Sequence, residues 1–342
     1  MIKSFNRIYL PLLFLILTAV NFFFSPFIAA SPNKAFKIGI IQLPAPYAVE
    51  IEEGLRKRLD YLGYKIGDNL TYELKIGEPE EVNYDKNIKI AKELIANDAD
   101  LIITIGTGAS TPVWPVVKEA KIPMAFVGVT YPIEGGLIKV FGKPTGTNIT
   151  GISYGVPPST RLRIFRQIFP DSIKYKNLGF AYSGVMEQEI TYVKELRSLS
   201  ETYGFNLKYV NFYNYDTKKP DFNILESSLN KLDVVFGWYT LDNISADSLL
   251  FSRLTSSSVP ILGITSRFTD LGAIGGVLTD HYALGAQHAD LAAQILSGIN
   301  PGEIPPVQPS GYLIEINLKK ARELGIEIPL EIVGAASRIV TK

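Results

Sequence analysis

The sequence predicts an α/β protein of two lobes, each a parallel sheet flanked by helices, with a ligand cleft between the lobes. Three observations lead there. Apolar runs of strand length alternate with segments whose apolar residues recur every three or four positions, the pattern of a parallel sheet covered on both faces. The alternation stops in the Gly-, Lys- and Pro-rich segment Ile133 to Thr147 and then starts again. Two strand ends of the same form stand about 130 residues apart: Leu101 to Ile105 running into Gly106-Thr107-Gly108, and Val234-Val235-Phe236 running into Gly237-Trp238-Tyr239-Thr240.

Length and composition narrow the function. The 342 residues suffice for two domains, and 46% of them are apolar, enough for a large core. The 34 basic and 34 acidic residues cancel, which argues against a nucleic-acid partner, since that would need a basic field. The absence of cysteine excludes disulfides, thiolate catalysis and cysteine-ligated zinc or iron–sulfur centres. His281 and His288 are the only histidines, and seven residues of helix hold them about 10 Å apart, too far to share a metal. No phosphate-binding G-x-x-x-x-G-K-[ST] loop occurs, so no ATPase site of that kind is expected; with so few histidines and no cysteine, neither metal nor cofactor is expected. Lys3 and Arg7 precede an apolar stretch that ends at Ile28-Ala29-Ala30, so residues 1–30 read as a secretory signal peptide and the protein as periplasmic. The alternative is an uncleaved signal anchor, because the stretch approaches the roughly 20 residues that span a bilayer.

The elements follow in order. Phe36 to Leu43 is the first strand, broken by Pro44-Ala45-Pro46. A helix with Ile51, Leu55, Leu59 and Leu62 on one face ends at Gly63. Leu70 to Ile76 is the second strand, and Ile88, Ala91, Leu94 and Ile95 mark the second helix. The Leu101 strand, a helix around Val113 to Ala120 and the strand Met124 to Val129 come next, and the extended piece Asn148 to Tyr154 crosses to the second lobe. There a helix bears Leu162, Phe165, Ile168 and Phe169, followed by the strand Leu178 to Tyr182 and a helix with Ile190, Val193 and Leu196. The strand Leu207 to Tyr213, a helix with Leu225, Leu229 and Leu232, the Val234 strand, a helix through Leu249, Leu250 and Leu254, and the strand Pro260 to Ile264 complete the repeat. Gly272 to Leu278 reads as a return crossing, followed by a helix with Leu284, Leu291 and Ile295. The proline-rich linker Pro301 to Pro309, the strand Tyr312 to Ile316 and a short helix ended by Gly325 close the chain. Residues 35–151 plus about 277–308 thus form the first lobe, and 152–276 plus about 309–342 the second.

In such sheets ligands bind beyond the carboxyl ends of the strands, so the residues just after each strand are the candidates. Thr107, Ser110 and Thr111 stand at a helix N-terminus, where unpaired N–H groups suit an anionic group; the alternative is plain helix capping. Asp242 and Asn243 suit a ligand ammonium, or else cap the next helix. Tyr47, Tyr131, Tyr154, Tyr182 and Tyr239 fall at or just beyond strand ends, where they either sandwich a flat ligand body or pack locally. Gly151-Ile152-Ser153-Tyr154-Gly155 fits the G-x-S-x-G elbow of serine hydrolases, but short polar residues precede it and Pro157-Pro158 follow. An exported hydrolase using Ser153 is therefore a minor alternative, and the other reading is a crossover strand.

Scattered segments, in this order and spacing, resemble the substrate-binding proteins of ABC importers, in the family that includes proposed tryptophan and tyrosine binders. They are Ile38-Gly39-Ile40-Ile41-Gln42, Asp100-Leu101-Ile102, Ile122-Pro123, Asn148-Ile149-Thr150-Gly151, Phe169-Pro170, Asp242-Asn243, and Ile316-Asn317-Leu318-Lys319-Lys320-Ala321 with Leu324-Gly325. The resemblance implies a type I-like periplasmic-binding fold that closes on a small polar or aromatic solute, an amino acid or related carboxylate, and delivers it to a membrane permease. It implies no catalysis, a monomer, and a cleft that includes Gln42, Thr107, Ser110, Thr130, Ser183 and Asp242. A sensing domain that feeds a signalling receptor is the alternative on the same fold. The chain departs from the family at Ser183-Gly184-Val185-Met186-Glu187 and at Thr265-Ser266-Arg267, where Arg267 favours a more anionic ligand.

Overall fold

The computed structural model describes residues 35–78, 84–182, 187–214, 216, 219–238 and 256–342. The expected signal peptide and the helix through Leu249, Leu250 and Leu254 lie outside them.

The first sheet comprises β1 (Phe36–Gln42), β2 (Leu70–Ile76), β3 (Leu101–Ile105), β4 (Met124–Val129) and β5 (Ile149–Ser153). They lie in the order β2-β1-β3-β4-β5, all parallel. Every residue of β3, β4 and β5 is buried, which is why these strands read as apolar runs without alternation. The edge strand β2 instead carries Thr71, Glu73 and Lys75.

Helix α1 (Pro46–Tyr61) opens on a proline whose missing N–H costs nothing there, and it buries Ala48, Ile51, Leu55 and Leu59 against the sheet. Helices α2 (Asp85–Ala96), α3 (Thr107–Ser110) and α4 (Trp114–Ala120) join the remaining strands. Apolar clusters fill both faces of the sheet.

After β5 the chain enters the second lobe through α5 (Pro158–Ile168), β6 (Asn177–Tyr182), α6 (Glu187–Ser200) and β7 (Asn206–Asn211). A small hairpin, β8 (Tyr213–Asn214) with β9 (Lys219–Pro220), precedes α7 (Phe222–Leu229) and β10 (Val234–Gly237). Then come β11 (Ile261–Gly263), α8 (Ser266–Asp270) and β12 (Gly275–Thr279). The second sheet has the order β14-β13-β12-β11-β10-β6-β7, completed by β13 (Tyr312–Asn317) and β14 (Arg338–Val340). Its one antiparallel pairing is β12 with β13. Its core is aromatic, with Phe165, Phe169, Phe180, Phe236 and Phe268 buried beside Trp238. The segment Gly272 to Leu278, read from sequence as a crossing, holds a strand of this sheet, and the crossing comes one step later at Asp280.

Helix α9 (His281–Leu296), capped by the Asp280 carboxylate on the Ala283 N–H at 2.8 Å, then returns to the first lobe and packs along α1. The two helices meet at glycines. A Cβ on Gly285 would lie 1.9 Å from the Ile51 carbonyl oxygen, and one on Gly54 would lie 2.1 Å from that of Tyr282. His288, one turn further along α9, is fully buried.

The proline-rich linker does not hang free. Val307 and β5 bond each other: Ser153 N–H donates to the Val307 carbonyl at 3.1 Å, and Val307 N–H to that of Gly151 at 3.0 Å. Two connections between the lobes therefore run side by side. Helices α10 (Leu318–Glu323) and α11 (Leu330–Ala335) finish the second lobe.

Candidate functional site

The loop Thr130 to Glu134 leaves β4, and Ser153 to Pro157 leave β5; both form walls of one cleft. Its other wall comes from the second lobe: Pro158 and Arg161 on α5, Thr191, Tyr192 and Glu195 on α6, and Trp238 just beyond β10. The cleft leaves ≈ 650 Å³ of empty space between its walls, the solvent at its open side included. Strand ends of both sheets place these residues, as expected of open α/β sheets.

The cleft is aromatic and charged at once. Tyr192 and Trp238 lie 4.1 Å apart between ring centroids, and both flank the Arg161 guanidinium. Tyr131, from the first lobe, packs against the second-lobe core. Burial holds its phenol well above the usual tyrosine range, reinforced by Tyr192, Glu195 and Glu134 and opposed by Arg161. The Glu195 carboxyl is pushed up by burial and then by Glu134 across the mouth.

The sequence matches the model of a known family over residues 37–340, and that family is described as ABC transporter substrate binding protein. The chain belongs to it. Members of this family are extracytoplasmic and take a small-molecule ligand for an ABC permease. Among the described residues no helix is long and apolar enough to cross a membrane.

The "Tyrosine-binding protein" of Clostridioides difficile (strain R20291) is 26% identical over 276 residues, 80% of this chain and 76% of that protein. An ABC domain from Streptococcus pneumonia, solved in complex with L-Trp, is 26% identical, with a TM-score of 0.66 over 90% of this chain and 100% of that one. A ligand-free, open substrate binding protein with adhesive properties from Clostridium difficile shares the fold at 23% identity, with a TM-score of 0.76 over 90% of this chain and 100% of that one.

Within this family member, four of the residues singled out from sequence line the cleft: Thr130, Tyr131, Tyr154 and Ser153, the last on the crossover strand β5. Tyr47 stands beside them, its ring 5.3 Å from that of Tyr154. The Tyr154 hydroxyl bonds His281 Nε2 at 3.0 Å, and His281 Nδ1 meets Glu50 at 2.9 Å. Thr107 sits one step behind the wall, its hydroxyl accepting the Thr130 N–H at 3.3 Å. Ser110 points inward: its hydroxyl donates to the Gly106 carbonyl and meets the Thr104 hydroxyl, both at 2.8 Å. Thr111 and Gln42 each bury a side-chain oxygen that has no hydrogen-bond partner; neither lines the cleft itself, and Thr111 lies behind its wall, against Gly135. Tyr182 stacks on Phe180 at 5.7 Å in the second lobe. Ser183, Tyr239, Asp242 and Asn243 lie outside the described residues.

Sequence reasoning passed over Arg161, Tyr192, Glu195 and Trp238. The clue was present in α5. Arg161, Phe165 and Ile168 fall on one stripe, so a charge sat in the apolar face of the helix. Arg267, the cation singled out instead, is exposed on α8.

Proposed function

We propose that this chain captures an amino acid or related carboxylate with an aromatic body in the cleft between its lobes and closes on it. The observation that carries this reading is the convergence of Tyr131 from the first lobe with Tyr192, Trp238 and Arg161 from the second. Rings on facing walls hold a flat apolar body, and they do so only when the lobes are together. The relatives bear on the same point, one being named for tyrosine and another solved with L-Trp. Ligand then shifts the population toward the closed form, which is the form presented to the permease. In this reading residues 1–30 are a signal peptide, the exported protein is a monomer, the lobes divide as 35–153 plus about 280–308 and 154–279 plus about 309–342, the first two boundaries moved from the sequence-based ones to the end of a strand, and the cleft binds without catalysis. In support of the last, the family the chain belongs to is one of substrate-binding proteins.

Titration calorimetry with L-tyrosine, L-tryptophan, L-phenylalanine, small carboxylates and nucleosides tests this. Saturable one-to-one binding of an aromatic amino acid is expected, with stabilisation of about 2.7 kcal/mol at a hundredfold excess over Kd. Trp238 in the cleft reports the event by fluorescence, and Trp114→Phe removes the chain's only other tryptophan. No heat and no stabilisation across the panel overturns the reading.

A further inference from the structure

We propose that Arg161 anchors the carboxylate of the bound solute, and that the solute is a zwitterionic amino acid whose ammonium faces Glu134 and Glu195 at the mouth. This rests on the solute-binding reading above and names the charge pattern of the solute.

Arg161 lines the cleft yet is only 1% exposed. Its guanidinium offers five N–H donors. Nε donates to the Val277 carbonyl at 3.3 Å and Nη1 to the Tyr192 hydroxyl at 3.0 Å. Nη2 is buried and has no partner. None of the ion pairs among the described residues includes Arg161. The rings of Tyr192, Phe236 and Trp238, 5.4 to 5.7 Å from the guanidinium carbon, offset part of the buried charge and hold the group in place. They do not satisfy the open donor, and an uncompensated buried charge is strongly unfavourable.

A second arginine on the same helix shows what a purely structural one looks like here. Arg166 donates to the carbonyls of Tyr203, Phe169, Tyr175 and Gly204, so each of its nitrogens has a partner. Arg161 has been left one short, at the floor of a cleft, where a carboxylate from outside completes it by charge-assisted bonds.

Access comes with lobe motion. Tyr131 belongs to the first lobe but packs on the second-lobe core, within electrostatic reach of Arg161. Parting of the lobes withdraws Tyr131 and bares the guanidinium. At the mouth, Glu134 and Glu195 come from opposite lobes and repel each other, and a cation between them relieves that repulsion. A solute with only a negative charge meets this pair unfavourably, and one with only a positive charge leaves Arg161 unmet.

The test compares L-tyrosine with tyramine, which lacks the carboxylate, and with 3-(4-hydroxyphenyl)propionate, which lacks the ammonium, by calorimetry on the exported protein. Wild type is expected to prefer L-tyrosine to either by about 30-fold or more, the scale on which removing one partner of a buried, hydrogen-bonded charge pair weakens binding. In Arg161→Met, L-tyrosine should weaken to the level of tyramine while tyramine binding stays put. Arg161→Lys should fall between, keeping charge but losing the fork. The ligand-free Arg161→Met protein should melt no lower than wild type, since a buried unpaired charge has been removed.

Arg161→Met that binds L-tyrosine as wild type does, or that weakens tyramine as much as L-tyrosine, overturns the proposal. If the variant does not fold, equal binding of L-tyrosine and tyramine by wild type overturns it instead. If the wider panel selects another amino acid, its decarboxylated amine takes the place of tyramine. Wild type that binds no amino acid at all removes the solute reading and this inference together, a result distinct from binding that survives loss of the arginine.

Discussion

Replacing Gly285 with valine is expected to lower the unfolding free energy by about 4 kcal/mol or more, seen as an earlier urea midpoint at unchanged m. The cause is the contact of α9 with α1. A Cβ at this position lies 1.9 Å from the Ile51 carbonyl oxygen and 2.8 Å from the Leu55 nitrogen, both of them backbone atoms that no rotamer change can move aside. Even Gly285→Ala should destabilise, although alanine favours a helix over glycine by about 1 kcal/mol. Gly334, in α11, provides the control. A Cβ there meets nothing within 4 Å, so Gly334→Ala should follow helix propensity and gain up to about 1 kcal/mol. If Gly285→Ala and Gly334→Ala shift stability in the same direction, the close approach of α9 and α1 is not as described.

The second large effect is a loss of stability in acid that runs through one side chain. His288 is fully buried against the backbone of Ala125 and Phe126 in β4, with neither ring nitrogen in a well-formed hydrogen bond. Burial pushes its pKa down to about 3 from 6.5. The folded state therefore keeps the ring neutral while the unfolded chain takes up a proton below pH 6.5. The unfolded state binds more protons across that window, so stability falls with pH from about 6.5 down to about 3. At about 1.4 kcal/mol per unit, the full loss is at most about 5 kcal/mol. His288→Leu should flatten this limb while leaving the carboxylate contribution intact. Urea midpoints of both proteins at pH 7 and pH 4.5 give the difference, and parallel curves would remove His288 as the cause.

Much of the fold is legible in the sequence because buried parallel strands must be apolar along their whole length. The Leu101, Met124 and Val234 runs announce themselves for that reason. Strand β12 does not. Its Gly275 and Gly276 lie tight against Glu315 and Gly263, so close packing, not side-chain hydrophobicity, selected its first residues. At the site, sequence reasoning finds residues that stand beyond strand ends, as with Thr130, Tyr131 and Tyr154. It does not show which way a one-turn helix such as α3 faces, and Ser110 proves to face inward. Arg161 escapes for a different reason: an arginine among others on a helix reads as solvated unless its place on the Phe165 and Ile168 stripe is noticed.

The pairing of β5 with Val307 makes two of the connections a spine, and a spine gives the cleft a lever arm. When two covers turn about a spine, points close to it barely move and points at the fore-edge travel furthest. Ser153 and Tyr154 lie next to the axis, whereas Glu134 and Glu195 stand on opposite covers. Groups beside the axis touch a solute whether the covers are apart or together, so they govern how firmly it is retained without biasing the motion. Only contacts that differ between the two positions can shift the balance between them. Contacts that drive closure thus belong to groups that face each other across the two covers, and a solute touching only the spine gains nothing from closing.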